Sequence, residues 1–296
     1  MTRKTAKDFD PQVLQLFDKY VHGDLSRRGF LQSAGKVAAG ALSAEALLAA
    51  LSPNFAQAQQ VAPLDARIVG SRVDFPSPDG NGKVHGYLVR PAAAQGKSGA
   101  VLVVHENRGL NPHIEDIARR LALAGYVAFA PDALYPLGGY PGDEDKARAL
   151  FPKLDLAKTR EDFVAAAGAL KTLPGTNGKV GVVGFCYGGG IANLLATRLP
   201  DLAAAVPFYG AAPAPADVAR IKAQVLVHHA GNDVRLLEAW PGYEAALTSS
   251  GIRHEAYVYP GVEHGFNNDT TPRYDEAAAR LAWQRTLALF DRTLRT

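Results

Sequence analysis

The segment from Lys179 to Ala192, K-V-G-V-V-G-F-C-Y-G-G-G-I-A, constrains the fold more than any other part of the chain. It begins with a valine-rich run, which is typical of a buried strand. Apolar residues then follow at helical spacing: Ile191, Leu194, Leu195 and Leu199. Between strand and helix, Cys186 stands in the pattern G-x-C-x-G, which is typical of a nucleophile elbow. The turn is so sharp that side chains at Gly184 and Gly188 are expected to collide with the strand or helix backbone.

Such a turn would hold the Cys186 side chain above the sheet and next to the positive end of a helix. That position favours a thiolate, and the N–H of Tyr187 could bind an oxyanion there. The same pattern also fits a buried, inert cysteine in a glycine-rich turn, because free cysteine is often buried. Residues further along the chain decide between these two interpretations.

The pattern of strands and helices from residue 100 onward predicts an α/β fold. Runs such as Ala100–Val104 are continuously apolar, as expected for central strands that are covered on both faces. They alternate with segments of helical spacing, which predicts a mostly parallel, doubly wound sheet with helices on both faces. A hairpin is expected over residues 67–89 and a polar loop over residues 91–98. A loop or lid over residues 133–155 would contain a short helix from Asp143 to Leu150.

Four polar side chains follow predicted strands at their C-terminal ends, where the active residues of such sheets lie. They are Glu106, Cys186, Asp233 and His264. The order Cys, Asp, His along the chain is that of α/β-hydrolases. A histidine can take the proton of the thiol, and an aspartate can fix the tautomer of that histidine. The sequence therefore predicts a triad of Cys186, His264 and Asp233. The backbone N–H groups of Asn107 and Tyr187 are predicted to form the oxyanion hole.

Each partner of the cysteine has a structural alternative. Asp233 could be a turn residue or could cap the next helix, and His264 could be a surface loop histidine. His228 and His229 compete for the role of the base, but they lie inside a predicted strand, where packing or hydrogen bonding would explain them. The placement of Cys, Asp and His at strand ends, in this order, favours the triad.

Composition and charge exclude several classes of protein. The net charge is +3, but residues 1–58 hold 7 Lys/Arg and 5 Asp/Glu, so the rest holds 25 against 24, or about +1. This balance argues against nucleic acid or an anionic membrane surface as the main partner. A single cysteine allows no disulfide within the chain. No run of 18 apolar residues suggests a membrane span.

Residues 1–58 are set apart as an N-terminal leader, with the catalytic domain over residues 59–296. The leader contains Ser26-Arg27-Arg28-Gly29-Phe30-Leu31-Gln32, then a mildly apolar stretch from Val37 to Leu51, then Ala56-Gln57-Ala58. This order resembles a twin-arginine export signal with a cleavage site, so the twin-arginine machinery is a predicted partner and the periplasm the predicted location. The alternative is a cytoplasmic protein whose leader stays attached as a helical arm. One face of that arm would consist of Val13, Leu14, Phe17 and Tyr20.

Five motifs are spread over residues 67–294. They are His105-Glu106-Asn107-Arg108-Gly109, Pro131-Asp132-Ala133-Leu134-Tyr135, Gly184-Phe185-Cys186-Tyr187-Gly188-Gly189, Pro207-Phe208-Tyr209-Gly210 and His264-Gly265-Phe266. Together they resemble the dienelactone hydrolase (carboxymethylenebutenolidase) family of the α/β-hydrolase superfamily. The resemblance implies a cofactor-free enzyme that opens lactones or cleaves small esters through an acyl-cysteine. It also implies that Glu106 lies beside the nucleophile and holds the resting thiol, whose pKa a nearby carboxylate would raise.

The resemblance further implies which residues bind the substrate. Tyr209 matches the pocket tyrosine of the family, and Arg148, in the predicted lid helix, corresponds to one carboxylate-binding arginine. Members that act on dienelactone carry another arginine four residues after the catalytic histidine, where this chain has Asn268. A neutral amide cannot form the bidentate pair of an arginine with a carboxylate. The resemblance therefore predicts the mechanism more firmly than the substrate.

Two other functions fit parts of the pattern. A single activated cysteine suits a thiol-based redox enzyme, although the chain has no second cysteine that could resolve an oxidised thiol. A non-catalytic, small-molecule-binding homologue would keep the pocket without turnover, but an intact triad argues against it. The prediction is an ester or lactone hydrolase that acts on a small molecule without a cofactor or a metal.

Overall fold

One mixed sheet flanked by helices forms the body of the protein, as seen in a computed structural model that describes residues 4–37, 43–93 and 96–295. Its strands are β1 (Ile68–Ser77), β2 (Gly82–Pro91), β3 (Ser98–Val104), β4 (Val127–Pro131), β5 (Thr176–Phe185), β6 (Ala204–Phe208), β7 (Gln224–Ala230) and β8 (His254–Tyr259). The helices before the sheet are α1 (Pro11–His22), α2 (Arg27–Val37), α3 (Ala44–Leu51) and α4 (Phe55–Ala58). Those that follow are α5 (Pro112–Leu123), α6 (Glu144–Leu150), α7 (Leu156–Thr172), α8 (Tyr187–Arg198), α9 (Pro215–Val218), α10 (Val234–Ser249) and α11 (Glu276–Leu294).

The strands lie in the order β1-β2-β4-β3-β5-β6-β7-β8. The pairs β1–β2 and β2–β4 are antiparallel, and all neighbours from β4 to β8 are parallel. Helices α5 and α11 pack on one face of the sheet, and α7, α8 and α10 pack on the other. The predicted α/β fold, a mostly parallel doubly wound sheet with helices on both faces, is confirmed. Its parallel strands bring their C-terminal ends to one edge, where the candidate site lies.

Helix boundaries follow local capping. The predicted lid helix begins at Glu144, because the Asp143 side chain accepts a hydrogen bond from the N–H of Lys146. The last helix begins at Glu276, because the Asp275 side chain caps it by accepting from the N–H of Ala278 at 2.9 Å.

The N-terminal arm, defined here as residues 4–37 and 43–58, is helical and carries a hydrophobic cluster of its own. Val13, Leu14, Phe17 and Tyr20 are buried along one face of α1. They pack with residues of α2 and α3, and this cluster shares no member with the two clusters on the faces of the sheet. Among the described residues, no helix is both long and apolar enough to cross a membrane.

Two stretches for which the sequence makes predictions are not among the described residues. Residues 38–42, within the apolar stretch predicted from Val37 to Leu51, lie outside the described residues, as do residues 94–95 of the predicted loop. The domain boundary at residue 58, the cleavage site and export by the twin-arginine machinery stay predictions.

We expect Gly184→Ala to destabilise the fold strongly. A Cβ at Gly184, near the end of β5, would lie 1.9 Å from the carbonyl oxygen of Gly188. The strand and helix backbones must separate to relieve this overlap, so the free energy of unfolding should fall by about 3 kcal/mol or more.

The matched control is Gly168→Ala, on the exposed side of α7, where an added Cβ meets nothing within 4 Å. This change should stabilise the helix by about 0.5–1 kcal/mol. Chemical denaturation measures both variants, and equal midpoints for the two would contradict the close approach at the elbow.

Candidate active site

Cys186 occupies a strained turn between β5 and α8. Its φ of 54° and ψ of −112° are rare for a residue other than glycine, and strain of this kind clusters at functional sites. The turn is held by the N–H of Cys186, which donates to the carbonyl of Phe208 at 3.0 Å. A Cβ at Gly188 would lie 2.2 Å from the carbonyl oxygen of Val104. The prediction that a side chain at Gly184 or at Gly188 would overlap the backbone is therefore confirmed at both positions.

A buried ion pair holds the histidine that was predicted as the base. His264 Nδ1 lies 2.6 Å from Asp233 Oδ2. Asp233 Oδ1 also accepts from the N–H of Leu236 at 3.3 Å and caps α10. The aspartate therefore serves both the histidine and the helix cap, each through a different oxygen. The other ring nitrogen of His264, Nε2, is buried and has no hydrogen-bond partner among the described residues.

The competing histidines on β7 are engaged elsewhere. His228 lies 3.1 Å from Thr286 Oγ1 through Nε2, and 3.0 Å from the Tyr259 hydroxyl through Nδ1. The His229 ring packs 4.9 Å from the ring of Trp240. Neither histidine is among the described residues that line the clefts beside Cys186.

A second histidine, His22 at the end of α1, reaches the thiol from the N-terminal arm. Its Nε2 lies 3.5 Å from Cys186 Sγ, and its ring centroid lies 4.6 Å from that of His264. His22 Nδ1 lies 2.9 Å from the carbonyl oxygen of Asp18 and 3.3 Å from its carboxylate. Sequence reasoning missed His22, because it separated the leader from the catalytic domain. The only local indication was the Asp18–His22 spacing of four residues on one helix face.

The two histidines lower the pKa of the thiol. Burial raises the pKa of Cys186, but the attraction of His264 and the hydrogen bond to His22 outweigh burial and bring the pKa to about 6. Burial lowers the pKa values of both histidines in turn. The thiolate and Asp233 outweigh it for His264, whose pKa rises to about 9, and Asp18 and the thiolate do so for His22, whose pKa rises to about 10. Near neutral pH the site is thus a thiolate between two imidazolium rings.

The carboxylate of Glu106 is paired with the side chain of Asn268. Its Oε2 accepts a hydrogen bond from Asn268 Nδ2 at 2.9 Å. Both residues line the same cleft as Cys186 and His264. The pKa of the thiol is set by burial and by the two histidines, so the role of Glu106 in holding the resting thiol stays a prediction. At residue 268, where the resemblance implied an arginine, this chain places an amide on its own glutamate.

The two predicted oxyanion residues flank the thiol. Tyr187 is the first residue of α8, and the first N–H groups of a helix have no partner within it. Asn107 comes two positions after the buried His105 at the end of β3, and its side chain donates to the carbonyl of Val21 at 2.9 Å. Asn107, Tyr187 and Cys186 line one cleft. The structure therefore brings both residues to the same cavity as the thiol.

Of the two predicted substrate-binding residues, one lies at the site and the other beneath the arm. The Tyr209 ring lies 4.9 Å from that of His264, and its hydroxyl is buried without a hydrogen-bond partner in the part of the chain described. The Arg148 guanidinium lies 4.2 Å from the ring centroid of Tyr20. Arg148 is absent from the described lining of both clefts, so its role in binding substrate stays a prediction.

Two clefts meet at Cys186. One, of about 580 Å³, lies between the arm and the sheet edge, and its lining includes two cations, Arg108 and Arg273. The other, of about 1450 Å³, is bounded by Tyr187, Tyr209 and apolar side chains of α8. Neither arginine has a role that was predicted from the sequence. Both are now candidates for contact with an anionic group of a substrate.

The parallel sheet, the strained elbow after β5 and the paired Asp233 and His264 at strand ends define an α/β-hydrolase. A family model described as "Dienelactone hydrolase family" matches residues 84–294, and the chain belongs to that family. It is therefore a hydrolase of the carboxylic ester and lactone class, as the motifs predicted. A second family model, "YqhI-like", matches residues 1–39, which include α1 and α2.

Individual relatives agree with this assignment. A Salmonella typhi protein described as "Putative carboxymethylenebutenolidase" is 36% identical over 219 residues, covering 69% of this chain and 81% of its own. The "Putative hydrolase fragment YghX" of Escherichia coli is 56% identical over 114 residues, covering 38% of this chain and 97% of its own. A crystal structure titled "Putative Dienelactone Hydrolase", from Klebsiella pneumoniae, has a TM-score of 0.67 and 30% identity, covering 75% of this chain and 98% of its own.

Proposed function

We propose that the protein hydrolyses a small ester or lactone through an acyl-cysteine intermediate on Cys186. The observation that carries this proposal is the position of the thiol on a strained elbow, beside the His264–Asp233 pair. The Sγ atom of Cys186 and a ring nitrogen of His264 lie within 4.8 Å of one another. This spacing is close enough to tighten to a hydrogen bond when a substrate binds.

In the first half of the reaction, the thiolate of Cys186 attacks the carbonyl carbon and the C=O electron pair moves to the oxygen. The backbone N–H groups of Asn107 and Tyr187 stabilise this oxyanion. The tetrahedral intermediate collapses as the C–O bond of the ester breaks. The imidazolium of His264 then gives its proton to the departing alkoxide, which in a lactone stays attached through the acyl chain.

In the second half, His264 is neutral and takes a proton from water as the water attacks the thioester carbonyl. The C–S bond breaks, the carboxylic acid leaves and the thiolate returns. Asp233 keeps the His264 ring in one tautomer and stabilises its charged form in both halves. Glu106 gates the thiol in this proposal by exchanging its hydrogen bond with Asn268 for a contact to the thiol or the substrate.

The test combines a substrate panel with chemical trapping. The panel contains p-nitrophenyl acetate, a cis-dienelactone and a neutral lactone, and acid-quenched protein is analysed by mass spectrometry for an acetyl group on Cys186. We expect turnover of p-nitrophenyl acetate and an acetyl adduct confined to that residue. Protein alkylated beforehand with iodoacetamide is the control and should show neither.

The remaining outcomes of the panel are informative. A preference for the dienelactone over the neutral lactone would mean that a cation other than residue 268 binds the substrate carboxylate, with Arg148 or Arg273 to be substituted next. Turnover without an adduct on Cys186 would overturn the acyl-cysteine mechanism. Peroxide consumption in the presence of thiol, without ester turnover, would favour the redox alternative instead.

A further inference from the structure

Three soft or borderline donor atoms converge where the N-terminal arm meets the elbow. The ligating atoms of His22, Cys186 and His264 all lie within 4.8 Å of one another, and the distance from Cys186 Sγ to His22 Nε2 is 3.5 Å. In a tetrahedral zinc site with Zn–S of about 2.3 Å and Zn–N of about 2.0 Å, a sulfur and a nitrogen ligand are separated by about 3.5 Å. We propose that this chain binds one Zn²⁺, or a divalent cation of similar softness, through His22, Cys186 and His264.

Both imidazole rings are already oriented as metal ligands are. A ligating histidine usually directs its second ring nitrogen at a carboxylate or a backbone carbonyl, which fixes its tautomer and orientation. His264 Nδ1 does this with Asp233 at 2.6 Å. His22 Nδ1 does it with the Asp18 carbonyl at 2.9 Å. In each ring the Nε2 atom is on the side of the thiol, and it can ligate because metal binding releases the proton it carries.

An unpartnered buried atom points to the same conclusion. His264 is 6% exposed, and its Nε2 has no hydrogen-bond partner among the residues that the structure describes. A buried polar atom without a partner is unfavourable, and a metal bond to that nitrogen would supply the partner.

The donor set selects the class of cation. Two imidazoles and one thiolate suit Zn²⁺ and similar ions, whereas Mg²⁺ and Ca²⁺ prefer oxygen ligands. Three protein ligands leave one tetrahedral position open, and a cleft lined by Glu106 and Asn107 adjoins Cys186 and His264. A water molecule can therefore complete the coordination.

The arm makes this site different from an ordinary cysteine–histidine pair. His22 comes from α1, whereas Cys186 and His264 come from the sheet edge, so the third ligand exists only while the arm is docked. Bound zinc would occupy the sulfur and the histidine that the proposed hydrolysis needs, and would block it reversibly. Zinc binding does not depend on the proposed hydrolysis, because a thiolate can ligate zinc whether or not it acts as a nucleophile. Only the inhibition depends on the proposed function.

The experiment uses the full chain, stripped with EDTA and titrated with Co²⁺ as a spectroscopic probe for Zn²⁺. Wild-type protein should bind one Co²⁺ per chain with a near-ultraviolet thiolate-to-cobalt band, and Zn²⁺ should abolish the band by displacement. Cys186→Ala should lose the band. His22→Gln, which keeps a side chain of similar length but removes a ligand, should weaken binding by at least the roughly 10-fold to 100-fold that loss of an outer-shell partner costs.

The matched control is His85→Ala. His85 is also a histidine paired with an aspartate, since its Nδ1 lies 2.6 Å from Asp74 Oδ1, but it lies on the β1–β2 hairpin. This variant should bind Co²⁺ as the wild type does. Absence of the band in the wild type, or equal affinity in His22→Gln and the wild type, would overturn the proposal. Because the band is read without substrate, failure of the metal site and failure of the hydrolase mechanism are distinguished.

Discussion

Cys186→Ala is expected to lose ester and lactone hydrolysis by about 10⁴-fold or more while it keeps the wild-type fold. The thiolate is the only nucleophile that the proposal uses, and a methyl group can neither attack the carbonyl nor leave from a thioester. The low pKa of about 6 means that the wild-type nucleophile is largely ionised at pH 7. Steady-state kcat/KM on p-nitrophenyl acetate measures the loss, and circular dichroism checks the fold.

Cys186→Ser is the companion variant. It keeps a hydroxyl at the elbow, but a serine hydroxyl is far less acidic than this thiol and needs a base to lose its proton. We expect activity between that of the alanine variant and that of the wild type. Activity of Cys186→Ala within a few-fold of the wild type would sink the assignment of the nucleophile.

His264→Ala is expected to reduce kcat/KM by about 10³-fold to 10⁵-fold. The variant loses the proton donor for the alkoxide and the acceptor for the attacking water. It also loses the strongest attraction that holds the thiolate, so the pKa of Cys186 should rise from about 6. The pH dependence of alkylation by iodoacetamide, measured in EDTA, reports this rise directly.

His22→Ala separates the two histidines, since both lie against the same sulfur. This variant should also raise the pKa of the thiol, because a hydrogen bond from His22 lowers that pKa. If His264 is the base, kcat/KM should stay within about tenfold of the wild type, because no proton-transfer step uses His22. The reverse order of losses would assign the base to His22 and its Asp18 partner, against the mechanism proposed here.

The elbow and the triad candidates could be predicted because local chemistry dictates them. A G-x-C-x-G sequence between a valine run and an apolar helix permits few backbones, and the structure gives Cys186 a positive φ there. The carboxyl ends of parallel strands meet at one edge, which is why Asp233 and His264, 31 residues apart, lie 2.6 Å from one another. Periodicity and strand-end position are properties of short segments, and a single sequence contains them.

The contacts that sequence reasoning missed are those between distant segments. His22 reaches Cys186 across 164 residues, and Asn268 reaches Glu106 across 162. No periodicity links such pairs, because the docking of α1 depends on tertiary packing alone. The expectation for Arg148 came from the family resemblance alone, which gave no indication that its guanidinium lies over the ring of Tyr20. The local sequence pattern therefore predicts the residues at the catalytic edge of the sheet, but it does not predict that the N-terminal arm covers them.

The separate hydrophobic cluster of the arm has a kinetic consequence. The arm is joined to the catalytic edge by contacts of a different kind, such as Tyr20 and Arg27 with Asp145 and Asp18 with Arg273. A unit with its own apolar interior, joined to the sheet edge through contacts such as these, can detach without unfolding the sheet. The cleft between the arm and the sheet edge then opens with the arm, and ionic strength shifts this equilibrium because salt screens these ion pairs. For a substrate that binds in that cleft, arm opening can limit turnover independently of the chemistry at the sulfur.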